Sequence, residues 1–192
     1  MPDPNAAALQ FLLTRRSRPA KTLKAPVPDR DALMPILIAA ARSPDHGKLE
    51  PWRFVVLEKA ALDRLAGLVR ARATALGHDA ESTDKAVRQY ADADLAVAVV
   101  STPKPSDKIP DIEQTYSAGA VCLAMLNAAL ASGWGANWLT GWPVHDRPFL
   151  AQGLGLAVGE SIAGLIHIGT ETAAPPDRPR PDIEAITTWV DE

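Results

Sequence analysis

Two short runs of the chain concentrate groups that can hold a phosphate. Arg15, Arg16 and Ser17 stand together in one, and Arg178 and Arg180 alternate with prolines in the other. A guanidinium stays charged when partly buried and grips phosphate oxygens in pairs, and a serine hydroxyl adds a neutral donor. The plainer role for the first run is a solvated helix end whose cations complement the helix dipole. For the second it is a surface linker. Should the proline-rich segment fold back onto the first helix exit, the four arginines could surround one phosphate monoester. A third run, Arg42-Ser43-Pro44-Asp45-His46-Gly47-Lys48, leads into Glu50-Pro51-Trp52. A polar loop directly before a buried strand is where binding groups collect.

Other chemistries find too few partners. Asp45-His46 is no triad without a nucleophile in reach. His46, His78, His145 and His167 offer no i, i+4 pair, so no metal site is expected. Gly47-Lys48 has Arg42 where a phosphate loop needs its first glycine. Gly153-x-Gly155-x-x-x-Gly159 has the wrong spacing for a dinucleotide fingerprint, and it precedes a strand rather than following one. The single cysteine, Cys122, excludes an internal disulfide and a cysteine metal cluster. A net charge of -3 points to neither nucleic acid nor an anionic membrane as partner. No apolar run approaches the ~20 residues that cross a bilayer. No basic leader precedes Leu13, so a cytoplasmic location is expected. Five tryptophans suit a core, an interface or the walls around a planar cofactor.

The elements that must position these groups follow from periodicity. Asp3 before Pro4 starts a first helix ending near Thr14, and Asp29 caps a second through Ala41, with Pro35 inside it. Trp52 to Leu57 reads as a buried strand. Lys59 to Leu76 and Glu81 to Ala93 read as helices. The continuous apolar run Leu95 to Ser101 predicts a strand covered on both faces. Ile112 to Ser132 is the longest helix, apolar nearly all round, and is expected in a core or an interface. A turn and strand from Gly133 to Trp138, a helix from Asp146 to Leu154 and a strand from Ser161 to Ile168 come next. Pro175 to Pro181 should cross the surface as an extended arm, and Ile183 to Val190 should close as a short helix or strand. With no repeat and no long linker, this order predicts one domain with helices covering a sheet.

RRS after the first helix, the block ARSPDHGKLEPWRF, the helix start EQTYSAGA, the segment GWGANWLTG and the RPRP tail follow one another from Leu12 to Trp189. In this order they resemble the nitroreductase family of FMN enzymes, nearest its small YdjA-like branch. The resemblance implies an α+β fold, a three-layer sandwich with a mixed sheet flanked by helices. It implies a single domain over residues 1–192 and a domain-type homodimer with FMN at the subunit interface; the long helix is the best candidate for the dimer core. Arg15, Arg16 and Ser17 would bind the FMN phosphate and ribityl chain. Arg42, His46 and Lys48 would contact the flavin and its ribityl hydroxyls. Trp138, Leu139 and Thr140 would reach the pocket from the partner subunit. Gly169, Thr170, Arg178 and Arg180 would complete the phosphate contacts.

No protein group is implied as a catalytic residue, because flavin N5 carries the chemistry. NADH or NADPH would donate a hydride, and a small oxidised acceptor, nitroaromatic or quinone-like, would then take it in a ping-pong scheme. Three residues depart from the family pattern. Asn-x-Gln-Pro-Trp reads Lys48-Leu49-Glu50-Pro51-Trp52 here, and Leu139 replaces a basic residue of the YdjA-like branch. Lys48 puts a cation near the flavin, where it would favour the anionic reduced form. Glu50 exchanges an amide donor for an anion. Two other readings stand beside the enzyme: a flavin carrier or sensor with little turnover, and a cofactor-free dimeric scaffold.

Overall fold

A computed structural model describes residues 3–191. Its helices are α1 (Ala6–Thr14), α2 (Arg30–Ala40), α3 (Lys59–Leu76), α4 (Ala80–Ala91), α5 (Asp111–Ala131) and α6 (Arg147–Leu154). Its strands are β1 (Leu23–Lys24), β2 (Trp52–Glu58), β3 (Leu95–Ser101), β4 (Gly135–Leu139) and β5 (Ser161–Glu171).

The helix ends follow their capping residues. Asp29, Asp79 and Asp146 accept from Ala32, Ser82 and Phe149 at the starts of α2, α4 and α6. Asn5, not Asp3, caps α1, its Oδ1 accepting from Ala8 N at 3.0 Å. Gly77 ends α3 in the left-handed region at φ 72°, where a Cβ would be strained. Pro35 sits inside α2 without ending it.

Strand β3 explains the layers. All seven of its residues are buried, and they alternate between two cores. Ala96, Ala98 and Val100 pack with Leu62, Leu65, Tyr90 and Phe149 from α3, α4 and α6. Leu95, Val97 and Val99 pack with Ile36, Val121, Cys122 and Met125 from α2 and α5. Each fully buried aliphatic side chain contributes about 1.5–3 kcal/mol, so both faces hold the sheet in place. This is the expected α+β sandwich. The sheet runs β2-β3-β5, with β1 and β4 also paired to β5. A mixed sheet was expected; within the chain, all four pairings among the described residues are antiparallel.

One element differs further from expectation. Residues 183–186 form only a turn, and the rest of the segment to 190 has no regular structure. Ile183, Ile186, Trp189 and Val190 are all exposed, so no core fixes a period there. Cys122 and Met125 on α5 are wholly buried inside the chain's own core. The face of α5 left outside carries Ile112, Tyr116 and Leu123 instead. Helix α1 is nearly all apolar yet buries none of its residues.

Candidate functional site

The exit from α1 and the end of β4 meet in one open cleft of about 500 Å3. Arg15 and Ser17 line one side and Trp138, Leu139 and Thr140 the other, with Leu123, Leu126 and Ala163 as an apolar wall. Backbone pairing explains the meeting. Arg18 N donates to Ala136 O at 2.8 Å, and Asn137 Nδ2 donates to Arg18 O at 2.5 Å. The arginine run is thereby stitched alongside β4. Trp138, Leu139 and Thr140 were expected from the partner subunit; they line this cleft from the same chain as Arg15.

The proline-rich arm folds back onto the helix exit. Arg16 reaches the carbonyl of Pro176, from Nη2 at 3.2 Å and from Nε at 3.4 Å. Burial lowers the Arg15 pKa, and the neighbouring charges of Arg180, Arg16 and Arg18 lower it further. Arg15 Nη2 donates to Ser17 Oγ at 3.0 Å, while its buried Nε has no partner. Nearby acids neutralise only part of the cluster. Arg18 meets Glu171 at 3.4 Å, and Arg180 meets Asp177 at 3.4 Å. Such a group of like charges favours a multiply charged oxyanion.

Other expected site residues lie elsewhere. Thr170 Oγ1 donates to Pro26 O at 2.6 Å, and Gly169 lies under the backbone of Lys24, so neither lines the cleft. Thr170 pairs with Lys24 of β1, and Gly169 with Gly135 of β4. Arg178 is exposed on the arm and is not among the charges acting on Arg15. Arg42, with Ser43 and Pro44, lines a separate hollow of about 280 Å3 against Ala120, Leu123, Ala124 and Asn127 of α5. Leu123 lines both hollows. His46 and Lys48 lie in the same loop but line neither. His46 Nδ1 is instead 2.6 Å from Glu113 Oε2 at the start of α5.

That loop is conformationally costly. Gly47, Lys48 and Glu50 all have positive φ, at 75°, 55° and 48°. The left-handed region costs a side chain roughly 1–2 kcal/mol. Asn tolerates it better than most residues, a physical reason for the Asn that the family pattern has at the position of Lys48. Asp45 braces the loop by accepting from Glu50 N at 2.6 Å.

Leu123, Leu126 and Ala163, missed from sequence, complete the cleft, and Gly164 lies against Trp138. Trp138 pairs with Ile166 across β4 and β5 and leans over Gly164. A Cβ on Gly164 would lie 2.6 Å from Trp138 Cδ1, closer still to Nε1, and 3.0 Å from Cys122 Sγ. A glycine inside an apolar strand was the available signal. Gly164→Ala is expected to destabilise the chain by about 1–3 kcal/mol through overpacking. It should also turn the Trp138 ring, seen as a shift in tryptophan fluorescence. An unchanged emission spectrum and unfolding midpoint would remove the close packing.

Residues 12–170 match the profile of the Nitroreductase family. The chain belongs to the nitroreductase family. It is 35% identical over 163 residues to Escherichia coli K12 YdjA, provisionally named an NAD(P)H nitroreductase, covering 85% of this chain and 87% of that protein. A Haemophilus influenzae protein, provisionally given the same activity, is 35% identical over 164 residues, covering 85% of this chain and 88% of its own. The fold matches that of a nitroreductase-like protein from Bacillus cereus, with a TM-score of 0.80, 21% identity and 100% of each chain covered. A nitroreductase from Bacteroides fragilis solved with bound FMN has a TM-score of 0.73 and 21% identity, over 98% of this chain and 100% of that one. The family's fold thus accounts for the helix–sheet–helix layering around the cleft.

Proposed function

We propose that the chain is an FMN-dependent oxidoreductase that takes reducing equivalents from NADH or NADPH and passes them to a small oxidised acceptor, nitroaromatic or quinone-like. The observation that carries this reading is the guanidinium cluster of Arg15, Arg16, Arg18 and Arg180 beside an apolar, tryptophan-lined slot. The residues fit the group. The unpartnered Nε of Arg15 and the surrounding like charges suit a phosphate monoester. Leu123, Leu126, Trp138 and Ala163 suit the faces of a planar ring.

FMN, once bound, supplies hydride transfer at N5 from the nicotinamide donor to the acceptor. The protein's part is placement. Arg15, Arg16 and Arg180 hold the phosphate, with Ser17 as a neutral donor. Trp138, Leu123 and Leu126 exclude water from the ring. Lys48 places a cation where reduced flavin gathers negative charge. Donor and acceptor then use one slot in turn, which predicts ping-pong kinetics.

The working unit we infer is a homodimer, with Arg42, His46 and Lys48 of one copy reaching FMN held by the other. The cradle and the 42–48 loop open into separate hollows of a single chain. The apolar faces left open support a second copy: Leu9, Leu12 and Leu13 on α1, and Ile112, Tyr116 and Leu123 on α5. Cys122 and Met125 are unsuited to probing that interface, because a charge there would disrupt the chain's own core. Tyr116 is 68% exposed. Tyr116→Asp is expected to yield a folded monomer that loses its flavin on gel filtration. A monomer that stays yellow would refute the shared site.

The deciding experiment is the visible spectrum of the purified protein with FMN, before and after anaerobic NADH or NADPH. An oxidised-flavin spectrum that bleaches supports the enzyme and reveals the preferred donor. Flavin that binds without bleaching would favour a carrier or sensor. A protein that rejects FMN would overturn the reading.

A further inference from the structure

The loop from Asp45 to Glu50 cannot hold its own shape. Gly47, Lys48 and Glu50 lie in the left-handed region, and all three are exposed. Neither local preference nor burial accounts for such a run. Backbone of this kind persists only where its surroundings over-determine it, and it gathers at functional sites. The bracing comes from residues 102–110, the connection between β3 and α5. Thr102 N donates to Pro51 O at 2.9 Å. Glu113 Oε2 meets His46 Nδ1 at 2.6 Å. Ile109 sits directly against Gly47, where an added Cβ would collide with its Cδ1. Ile109 is buried, yet it stands outside both cores. Its contact with the loop is therefore no by-product of core packing.

The connection is itself irregular, interrupted by Pro103, Pro105 and Pro110. Without an anchor it would be no firmer than the loop it braces. Gln114, in the first turn of α5 and 2% exposed, is that anchor. Its Oε1 accepts from Lys104 N at 2.7 Å, and its Nε2 donates to Lys104 O at 2.9 Å. Both ends of the amide thus hold one backbone residue, as a neighbouring strand would. Ser106 Oγ accepts from Ile109 N at 3.1 Å and completes the path to the wedge. At the far end stands Lys48. It takes part in none of the ion pairs among the described residues. Strained backbone thus presents an exposed, unpaired cation.

We propose that Gln114 is a positioning residue: through Lys104, Ile109 and Gly47 it fixes Lys48 where the ammonium meets the negative charge gathered by reduced flavin. The inference rests on the FMN reading above, in which this loop reaches the cofactor held by the other copy. Gln114 touches no cofactor itself. It favours reduction by holding in place a charge that would otherwise spread over many conformations.

The test reads the loop and the cofactor separately. Hydrogen exchange of segment 45–51 is followed without FMN in the unaltered chain, Gln114→Leu and Ile109→Ala. Both variants should speed exchange there several-fold. Ile109→Ala lies outside both cores and should keep the fold even if Gln114→Leu does not. The midpoint potential of bound FMN is then measured. Lys48→Met should lower it, because the anionic reduced form loses a cation. Gln114→Leu and Ile109→Ala should lower it toward the Lys48→Met value. On the Lys48→Met background neither should lower it further. Unchanged exchange in segment 45–51 would overturn the role. So would a fall in potential that persists in full on the Lys48→Met background. An unaltered chain that binds FMN, at a potential that Lys48→Met does not move, would overturn the role and spare the flavin reading. A chain that takes no FMN would sink both.

Discussion

Arg15→Ala is expected to weaken FMN binding by about 1.5–3 kcal/mol, the range for hydrogen bonds to charged groups, or roughly ten- to hundred-fold. Without the cofactor, Arg15 is held against its interest. It is half-buried, its Nε has no partner, and three other guanidiniums depress its pKa. The same substitution therefore relieves like-charge repulsion in the apoprotein. Affinity should fall while the unfolding midpoint of the apoprotein holds steady or rises. A residue that merely supported the fold would lower both. Arg16→Ala should cost a similar amount of affinity, but with a different signature. Its guanidinium also ties down the arm at Pro176, so its loss should expose the segment after residue 172 to proteolysis. Fluorescence titration of FMN at fixed ionic strength, with apoprotein melting, separates the two. Unchanged FMN retention in Arg15→Ala would remove it from the cradle.

The order of elements was legible because two periods dominate it. The run Lys59–Leu76 has helical spacing throughout, and Leu95–Ser101 has no polar residue before its last, so both spans agree with the structure. Strand β1 was not legible. It has two residues, and only its pairing with Thr170 and Glu171 creates it. That pairing is a tertiary effect that no local pattern records. At the site, Arg15, Ser17, Trp138, Leu139 and Thr140 were named from sequence, and one cleft holds them all. The direction of the arm was left open by composition. Arg16 and Pro176 settle it through a bond spanning the chain. Gly164 stood out only as a glycine in an apolar strand, because its importance lies in the ring placed over it, and Glu113 was missed because its partner His46 is remote in sequence. Cys122 and Met125 show the limit of reading a helix that is apolar all round. The pattern gives burial, but not whether the chain or its partner does the burying.

Acidification from pH 6.5 toward 4 should remove about 3 kcal/mol of stability through His167 alone. Burial pushes its pKa down to about 4 from an ordinary value of 6.5. Between those values the unfolded chain binds a proton that the folded chain refuses. Stability therefore rises with pH across this window and is lost as pH falls through it, at 1.36 kcal/mol for each unit of difference. His167 is almost fully enclosed, so solvent screens little of this. A second loss belongs to a lower window. Glu160 is held down to about 2 by its hydrogen bond to Arg53, at 2.7 Å. Its contribution is complete above its unfolded value near 4.5 and disappears only as pH falls toward 2. The two windows barely overlap, so urea unfolding at pH 7, 5, 4 and about 2.5 can tell them apart. His167→Phe should flatten the upper window while leaving the lower one in place. Equal slopes for both proteins between pH 6.5 and 4 would mean that His167 is protonated in the folded chain. The Asp92 carboxylate, which lines the cavity beside His167, would then be the counter-charge.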